Sequence, residues 1–442
     1  MHTKLIMSSS SLLVTFLSLL LLHSSPLVIS QSAPVFSPID KDDSTGLYTI
    51  TIYLKTLLQP SKLHLDVGSF LPWYDCARHY KSSTYQPVIY NSSLCLDLDT
   101  KAYGNCFRPP APGCSNDTCM FFPENPVTRK IATGLLLTDK FALPIAQKQF
   151  QLGKVSQIVL SCTDPNKYSR IYRGLAKGST GLASLGRFNY SLSAQISRSS
   201  SSPWIFALCL PSSSKAPGIA LFNSPGPYNF SPGIDISRSL TYTPLILGPR
   251  SADTQIFYWY KSPDYYIGLT SFKVSQRLVS LNQTLLAIDE NGMGGTKLSS
   301  SAPYTVLQTS IFNALKDAFV KESVRYNLTE VKPVAPFGLC YAADKIQSTR
   351  LGPAVPTINL VLHNSQVVWS IYGSNSMVNV PNNGVDTLCL GFVDGGLNTR
   401  TSIVIGGYQM KDTLLQFDLV RDRLGFSSSL LVQSTNCANF SF

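Results

Sequence analysis

The 442-residue chain lacks several of the patterns that announce a catalyst or a membrane protein. It holds no Gly-x-Ser-x-Gly elbow and no phosphate-binding glycine loop, which removes the commonest serine-hydrolase and nucleotide-binding signals. Histidine is scarce. Of the five, His2, His23, His64 and His79 fall near the N-terminus or around the first Asp-x-Gly-Ser turn, and His363 stands alone, so a Ser–His charge relay finds little support. No Cys-x-x-Cys occurs, and Cys114 and Cys119 have no second pair or neighbouring histidines to complete four zinc ligands, which excludes a metal site. No apolar run reaches the roughly 20 residues of a membrane span. The longest candidate, residues 12–22, breaks at His23-Ser24-Ser25-Pro26. With Lys4 before it and Val28 and Ser30 placed for cleavage ahead of Gln31, residues 1–30 read as a secretory signal instead.

What is present fits an exported chain. Cys76, Cys95, Cys106, Cys114, Cys119, Cys162, Cys209, Cys340, Cys389 and Cys437 all follow the expected cleavage point, and their even number suits an oxidised framework. Asn-x-Ser/Thr sequons begin at Asn91, Asn116, Asn189, Asn282, Asn327 and Asn439, with a poorer one at Asn229, where Pro232 follows the serine. Lys and Arg total 36 against 25 Asp and Glu; without Lys4 the balance is +10. The basic charge is scattered, with no block of five or six and no arginine–aromatic alternation, so nucleic acid is excluded as a partner. An acidic polysaccharide or an acidic protein surface is the more natural counterpart.

Short β-branched and aromatic runs such as "GLYTITIYL" (46–54) and "YTPLILG" (242–248), punctuated by Ser, Pro, Gly and Asn, predict an all-β protein. One helix stands out in "TSIFNALKDAFVKESV" (309–324): Ile311, Leu315, Ala318, Phe319 and Val320 share a face that Lys316, Asp317 and Lys321 leave. A faint duplication is more telling. "LHLDVGSFLPWYDC" (63–76) is answered by "TGLASLGR" (180–187), and "GGTKLSSSAPYTVL" (294–307) by "SIVIGGYQMKDTLLQFDLVRDRLGF" (402–426). Such a repeat predicts two β lobes, residues 31–225 and 226–442, facing each other across a cleft with the turns at its base.

Over essentially the whole mature chain these segments resemble the pepsin-like aspartic proteinases. Within them, "VAPFGLCY" (334–341), "SNSMV" (374–378) and "CLGFVDGGLNTRTSIVIGG" (389–407) are similar to the plant branch of xylanase inhibitors, basic 7S globulins, extracellular dermal glycoproteins and xyloglucan-endoglucanase inhibitors. The resemblance implies a bilobal β-barrel fold with a few short helices, no cofactor, an apoplastic location and a bridge between Cys340 and Cys389. Cys76 with some of Cys95, Cys106, Cys114 and Cys119 is expected to staple the loops after the first turn, with the connectivity beyond that open.

Aspartic proteolysis needs two carboxylates that share one proton. Asp66 supplies one. On the family pattern the second falls at Ser299, Ser301 replaces a turn glycine, and Val67 replaces a threonine that ties the lobes together. Asp289 and Asp394 are decoys, five residues before the glycine pair and about ten before the "IVIGG" strand. Only 16 residues separate Gln31 from Tyr48, too few for the inhibitory pro-segment of active relatives. The expectation is a non-enzyme with vestigial Asp66 and Ser299.

The resemblance implies binding to microbial glycoside hydrolases, a xyloglucanase or a xylanase, through a basic loop side chain set between the enzyme's two carboxylates. Arg400 matches a basic position of the glucanase inhibitors, and residues 325–338 should lie nearby. Glu330 stands close to where those proteins carry an arginine, which turns attention to Arg325 and Lys332, with a glycan at Asn327 as a screen. A storage or peptide-binding globulin is the alternative, and an atypical aspartic endopeptidase the second.

Overall fold

Alternation of side chains over residues 46–54 places Tyr48, Ile50, Ile52 and Leu54 in the core, and the segment forms the strand Leu47–Leu54. The structure is a computed structural model that describes residues 33–77, 80–146, 151–249, 261–382 and 385–442; the expected export signal lies outside them. The "YTPLILG" run becomes the strand Thr241–Ile246. The predicted helix spans Thr309–Ser323, begins where Gln308 Oε1 accepts the Ser310 N–H at 2.7 Å, and buries Ile311, Leu315, Ala318 and Phe319. Among the described residues no helix is long and apolar enough to cross a membrane.

The duplication is real in topology. In the first half the strand Gln59–Asp66 lies parallel to Gly181–Ser184, and Trp73–Asp75 lies parallel to Ser156–Thr163. In the second half Thr296–Leu298 lies parallel to Ile403–Ile405, and Thr305–Leu307 parallel to Phe392–Asp394. Each half threads one turn beneath another, which requires backbones to meet without a Cβ between them. Gly186 and Gly406 serve there: a Cβ on Gly186 would come within 2.3 Å of Ser69 O, and one on Gly406 within 2.3 Å of the Tyr304 carbonyl carbon.

One antiparallel sheet joins the halves. Its strands run in the order Val35–Asp42, Gly218–Phe222, Ile205–Cys209, Leu414–Asp418, Arg423–Phe426 and Thr241–Ile246, three from each half of the sequence. At the junction Ala207 pairs with Gln416. Beside it the rings of Phe206 and Phe417 stack at 4.6 Å, and Tyr265 lies against Phe417 at 4.7 Å. Aromatic pairs of this kind add about 0.5–1.5 kcal/mol beyond their buried area. This is the bilobal all-β fold the sequence predicts.

All ten cysteines pair: Cys76–Cys162, Cys95–Cys119, Cys106–Cys114, Cys209–Cys437 and Cys340–Cys389. The expected bridge from Cys76 into residues 95–119 is therefore corrected. Because Trp73–Asp75 and Ser156–Thr163 are parallel neighbours with Tyr74 opposite Cys162, the nearest thiol to Cys76 comes from a distant strand. Cys209–Cys437 closes the longest loop, 228 residues, and pins the C-terminal segment beside the shared sheet. Replacing both cysteines by alanine should cost about 2–5 kcal/mol. The urea midpoint should fall accordingly, while the Cys106→Ala, Cys114→Ala pair, which closes only 8 residues, should cost less.

Candidate functional site

Asp66 ends its strand at the junction of the halves, 3% exposed, with its carbonyl receiving the Leu185 N–H at 2.7 Å. Its carboxylate is met from the second half: Ser301 Oγ donates to Oδ1 at 2.6 Å. Ser301 also touches His64 Nε2 at 2.9 Å, and the Ala176 N–H donates to His64 Nδ1 at 3.3 Å. Since Nδ1 accepts, the ring proton sits on Nε2 and is donated to Ser301, whose own proton goes to Asp66. The chain of bonds runs one way. His64 therefore cannot remove the serine proton, and the trio is no nucleophile relay despite its composition.

Burial sets the charges. It pushes His64 down to about 3, so the ring stays neutral. It also pushes Asp66 up from the usual carboxylate range, against the lowering pull of its hydrogen bonds to Ser301 and Ser69.

The second turn holds Ser299 directly after Leu298, its N–H bonded to Ile405 O at 2.9 Å. The next residue forms the tie between the halves. Ser300 Oγ donates to Leu65 O at 2.9 Å and accepts the Val67 N–H at 3.1 Å. Val67, with no hydroxyl, returns no equivalent bond from its side chain.

A different carboxylate reaches the floor. Asp264 Oδ1 would lie 2.4 Å from a Cβ on Gly68, and Asp66 Oδ2 3.4 Å from the same point, so glycine at 68 admits the intrusion. Lys297 Nζ holds Asp264 Oδ2 at 2.8 Å, and Ser262 Oγ donates to the same oxygen at 3.0 Å. Burial works to raise Asp264, but Lys297 outweighs it and keeps the carboxyl below its usual range. Burial likewise works to lower Lys297, and Asp264 overrides it. Facing them, Glu124 pairs with Arg129 at 2.9 Å and is pushed up by burial. The cleft floor is thus occupied by charges paired with one another.

Asp289 and Asp394 are elsewhere. Asp289 Oδ1 accepts the Asn291 and Met293 N–H groups, and Asp394 Oδ1 accepts from Thr309 Oγ1 and the Gly396 N–H; each closes a surface turn. Neither Asp264 nor Ser300 stands out in the sequence. Lys297 does leave a trace there: the period-two alternation of Thr296-Lys297-Leu298-Ser299 puts it on the same strand face as Ser299.

Val334, within residues 325–338, and Val393, on the strand Phe392–Asp394 that leads toward Arg400, both pack against the apolar cluster around Cys340–Cys389. Lys332 and Glu330 are exposed, the latter opposite Tyr341 in a short strand pair. Arg325 is exposed and paired with Glu322 at 3.2 Å. Arg400 is half-buried, its guanidinium 3.3 Å from where Gly292 would carry a Cβ. Asn91, Asn116, Asn189, Asn282, Asn327 and Asn439 are exposed, whereas Asn229 is half-buried in a strand.

The two buried groups make opposite demands on pH. His64, lowered to about 3, binds its proton more readily unfolded, so its contribution is complete above pH 6.5 and is lost as pH falls toward 3. Asp66, raised, binds its proton more readily folded and adds stability as pH falls through its raised value. Between pH 7 and 4, His64→Gln should lose less stability than the unmodified chain and Asp66→Asn should lose more, measured as urea midpoints. Parallel curves for all three proteins would contradict the assignment.

Two family models match the chain, Xylanase inhibitor N-terminal over residues 48–224 and Xylanase inhibitor C-terminal over 264–428. "Probable aspartic proteinase GIP2" of Nicotiana benthamiana is 45% identical over 409 residues, 92% of this chain and 91% of that protein. "Gamma conglutin 1" of Prunus dulcis is 38% identical over 96% of this chain and 95% of its own length. The crystal structure of edgp superimposes with a TM-score of 0.87 at 43% identity, covering 93% of this chain and 98% of the other. A shared-sheet bilobal fold and matches to both halves lead to one conclusion: the chain belongs to the xylanase-inhibitor and basic 7S globulin branch of the plant pepsin-like aspartic proteinase family.

Proposed function

We propose that this protein is a secreted, catalytically inactive relative of the aspartic proteinases that binds and inhibits a microbial cell-wall glycoside hydrolase, a xyloglucan-specific endoglucanase or a xylanase, in the apoplast. The observation that carries the reading is the match of both halves to xylanase-inhibitor models. Inactivity rests on the floor of the cleft. Asp66 has no carboxylate partner at residue 299, its Ser301 bond is fed by neutral His64, and Asp264, which approaches Gly68, is held by Lys297. Loss of one member of a catalytic unit costs on the order of 10⁴-fold or more in rate.

Inhibition then belongs to the loops. A guanidinium or ammonium inserted between two catalytic carboxylates gains charge-assisted hydrogen bonds and competes with substrate. Lys332 is the most available of the three candidates, exposed on a loop whose base is fastened by Val334 and Cys340–Cys389. Arg325 must leave Glu322 to engage, and Arg400 must rise from beside Gly292. Glu330, two residues from Lys332, opposes an acidic active site and narrows the choice of target.

The gamma conglutin likeness, at 38% identity over nearly the whole chain, supports a second reading as a storage or peptide-binding globulin. Residual endopeptidase activity is the third. A panel of xylanases and xyloglucanases titrated with the protein should contain a target inhibited at nanomolar concentration. Alanine at the engaged residue, whether Lys332, Arg325 or Arg400, should raise the inhibition constant about 10- to 100-fold. A panel without any bound enzyme sinks the inhibitor reading. A peptide library at acidic pH should remain intact, and cleavage abolished by Asp66→Ala would overturn the account of the floor.

A further inference from the structure

Far from the cleft loops, Lys55 follows the strand Leu47–Leu54 with a left-handed backbone, φ 79°, a conformation lysine seldom adopts. The residue is 5% exposed. Its Nζ lies 5.1 Å from the Tyr74 ring centre and 4.9 Å from that of Tyr80, and among the described residues no carboxylate pairs with it. Two aromatic faces offset only part of the cost of taking an ammonium out of water. The lysine lines a cavity of about 530 Å³, within the range that accommodates small ligands.

The remaining wall suits a hydroxylated ring. Both Ser179 and Thr180 line the cavity; Ser179 Oγ donates to Ala176 O at 2.6 Å and Thr180 Oγ1 to Lys62 O at 3.0 Å, which leaves each oxygen with acceptor capacity. Tyr172 contributes a ring braced edge-on against Trp73 at 5.3 Å. Asp75, its Oδ1 held by the Ala77 N–H at 3.2 Å, and Ser169 complete the polar lining. Exposed Arg170 and Lys177 flank Ser169 and Ser179 along the chain. A carboxylate for the lysine, hydroxyl donors for the acceptor oxygens and a ring face for the tyrosines together describe a sugar acid.

We infer that the Lys55 cavity is a binding site for a uronate residue of an acidic polysaccharide, with Lys55 Nζ reading the carboxylate and Ser179 and Thr180 the sugar hydroxyls. This site is independent of hydrolase inhibition, since none of its residues belongs to residues 325–338 or to the loop that carries Arg400. It would hold the basic protein on an anionic wall polymer while the other loops remain free.

Calorimetric titration of the full chain with a trimer of galacturonate tests this. Saturable binding is expected to the trimer and, more weakly, to monomeric galacturonate, but not to acetate or to the neutral galactose trimer. Lys55→Met should weaken binding about 10- to 100-fold, the loss of a charge-assisted hydrogen bond. Ser169→Trp, at an exposed position of the wall, should block the cavity without disturbing Lys55; melting curves that match the unmodified chain establish that either variant is folded. Equal affinity for the neutral trimer, or undiminished uronate binding by folded Lys55→Met or Ser169→Trp protein, would overturn the assignment. So would no binding of the galacturonate trimer.

Discussion

Ser300 Oγ bridges the two halves of this molecule, donating to Leu65 O and accepting from Val67 N–H. The bond matters because it is buried and crosses between segments separated by more than 230 residues. Leaving a buried carbonyl and amide unpaired costs about 1–3 kcal/mol for each group. The hydroxyl therefore fixes the register of the two turns, and every distance on the cleft floor follows from that register. Ser301 can reach Asp66 only because Ser300 has already placed its turn.

A floor held this way is ordered without a carboxylate at residue 299. A functional dyad would place like charges in contact and keep one proton between them. Here Asp66 instead accepts a hydrogen bond from Ser301, and the nearby Asp264 is paired with Lys297. The arrangement is self-satisfied.

The candidate binding loops and the Lys55 cavity use basic charge differently. Lys332 is an exposed cation on a surface loop. Lys55 is buried with its Nζ about 5 Å from two aromatic rings, so the cost of ordering it falls on folding. A net charge of +11 describes neither behaviour by itself. Placement separates them.

Period and punctuation were sufficient for the local elements: the strand at 47–54, the helix at 309–323 and the duplicated turns are all legible because alternation and helical spacing are local properties. The family resemblance implied the Cys340–Cys389 bridge, which the structure contains, and directed attention to Asp66 and Ser299. The sequence misdirected Cys76, since nearness along the chain is a poor guide where parallel strands bring Cys162 beside it. Asp264, the Ser300 tie, the direction of the His64–Ser301–Asp66 bonds and the setting of Lys55 were decided by tertiary structure alone. Each depends on which backbone passes within about 3 Å of which side chain, a quantity that chain-crossing topology determines and local sequence does not encode.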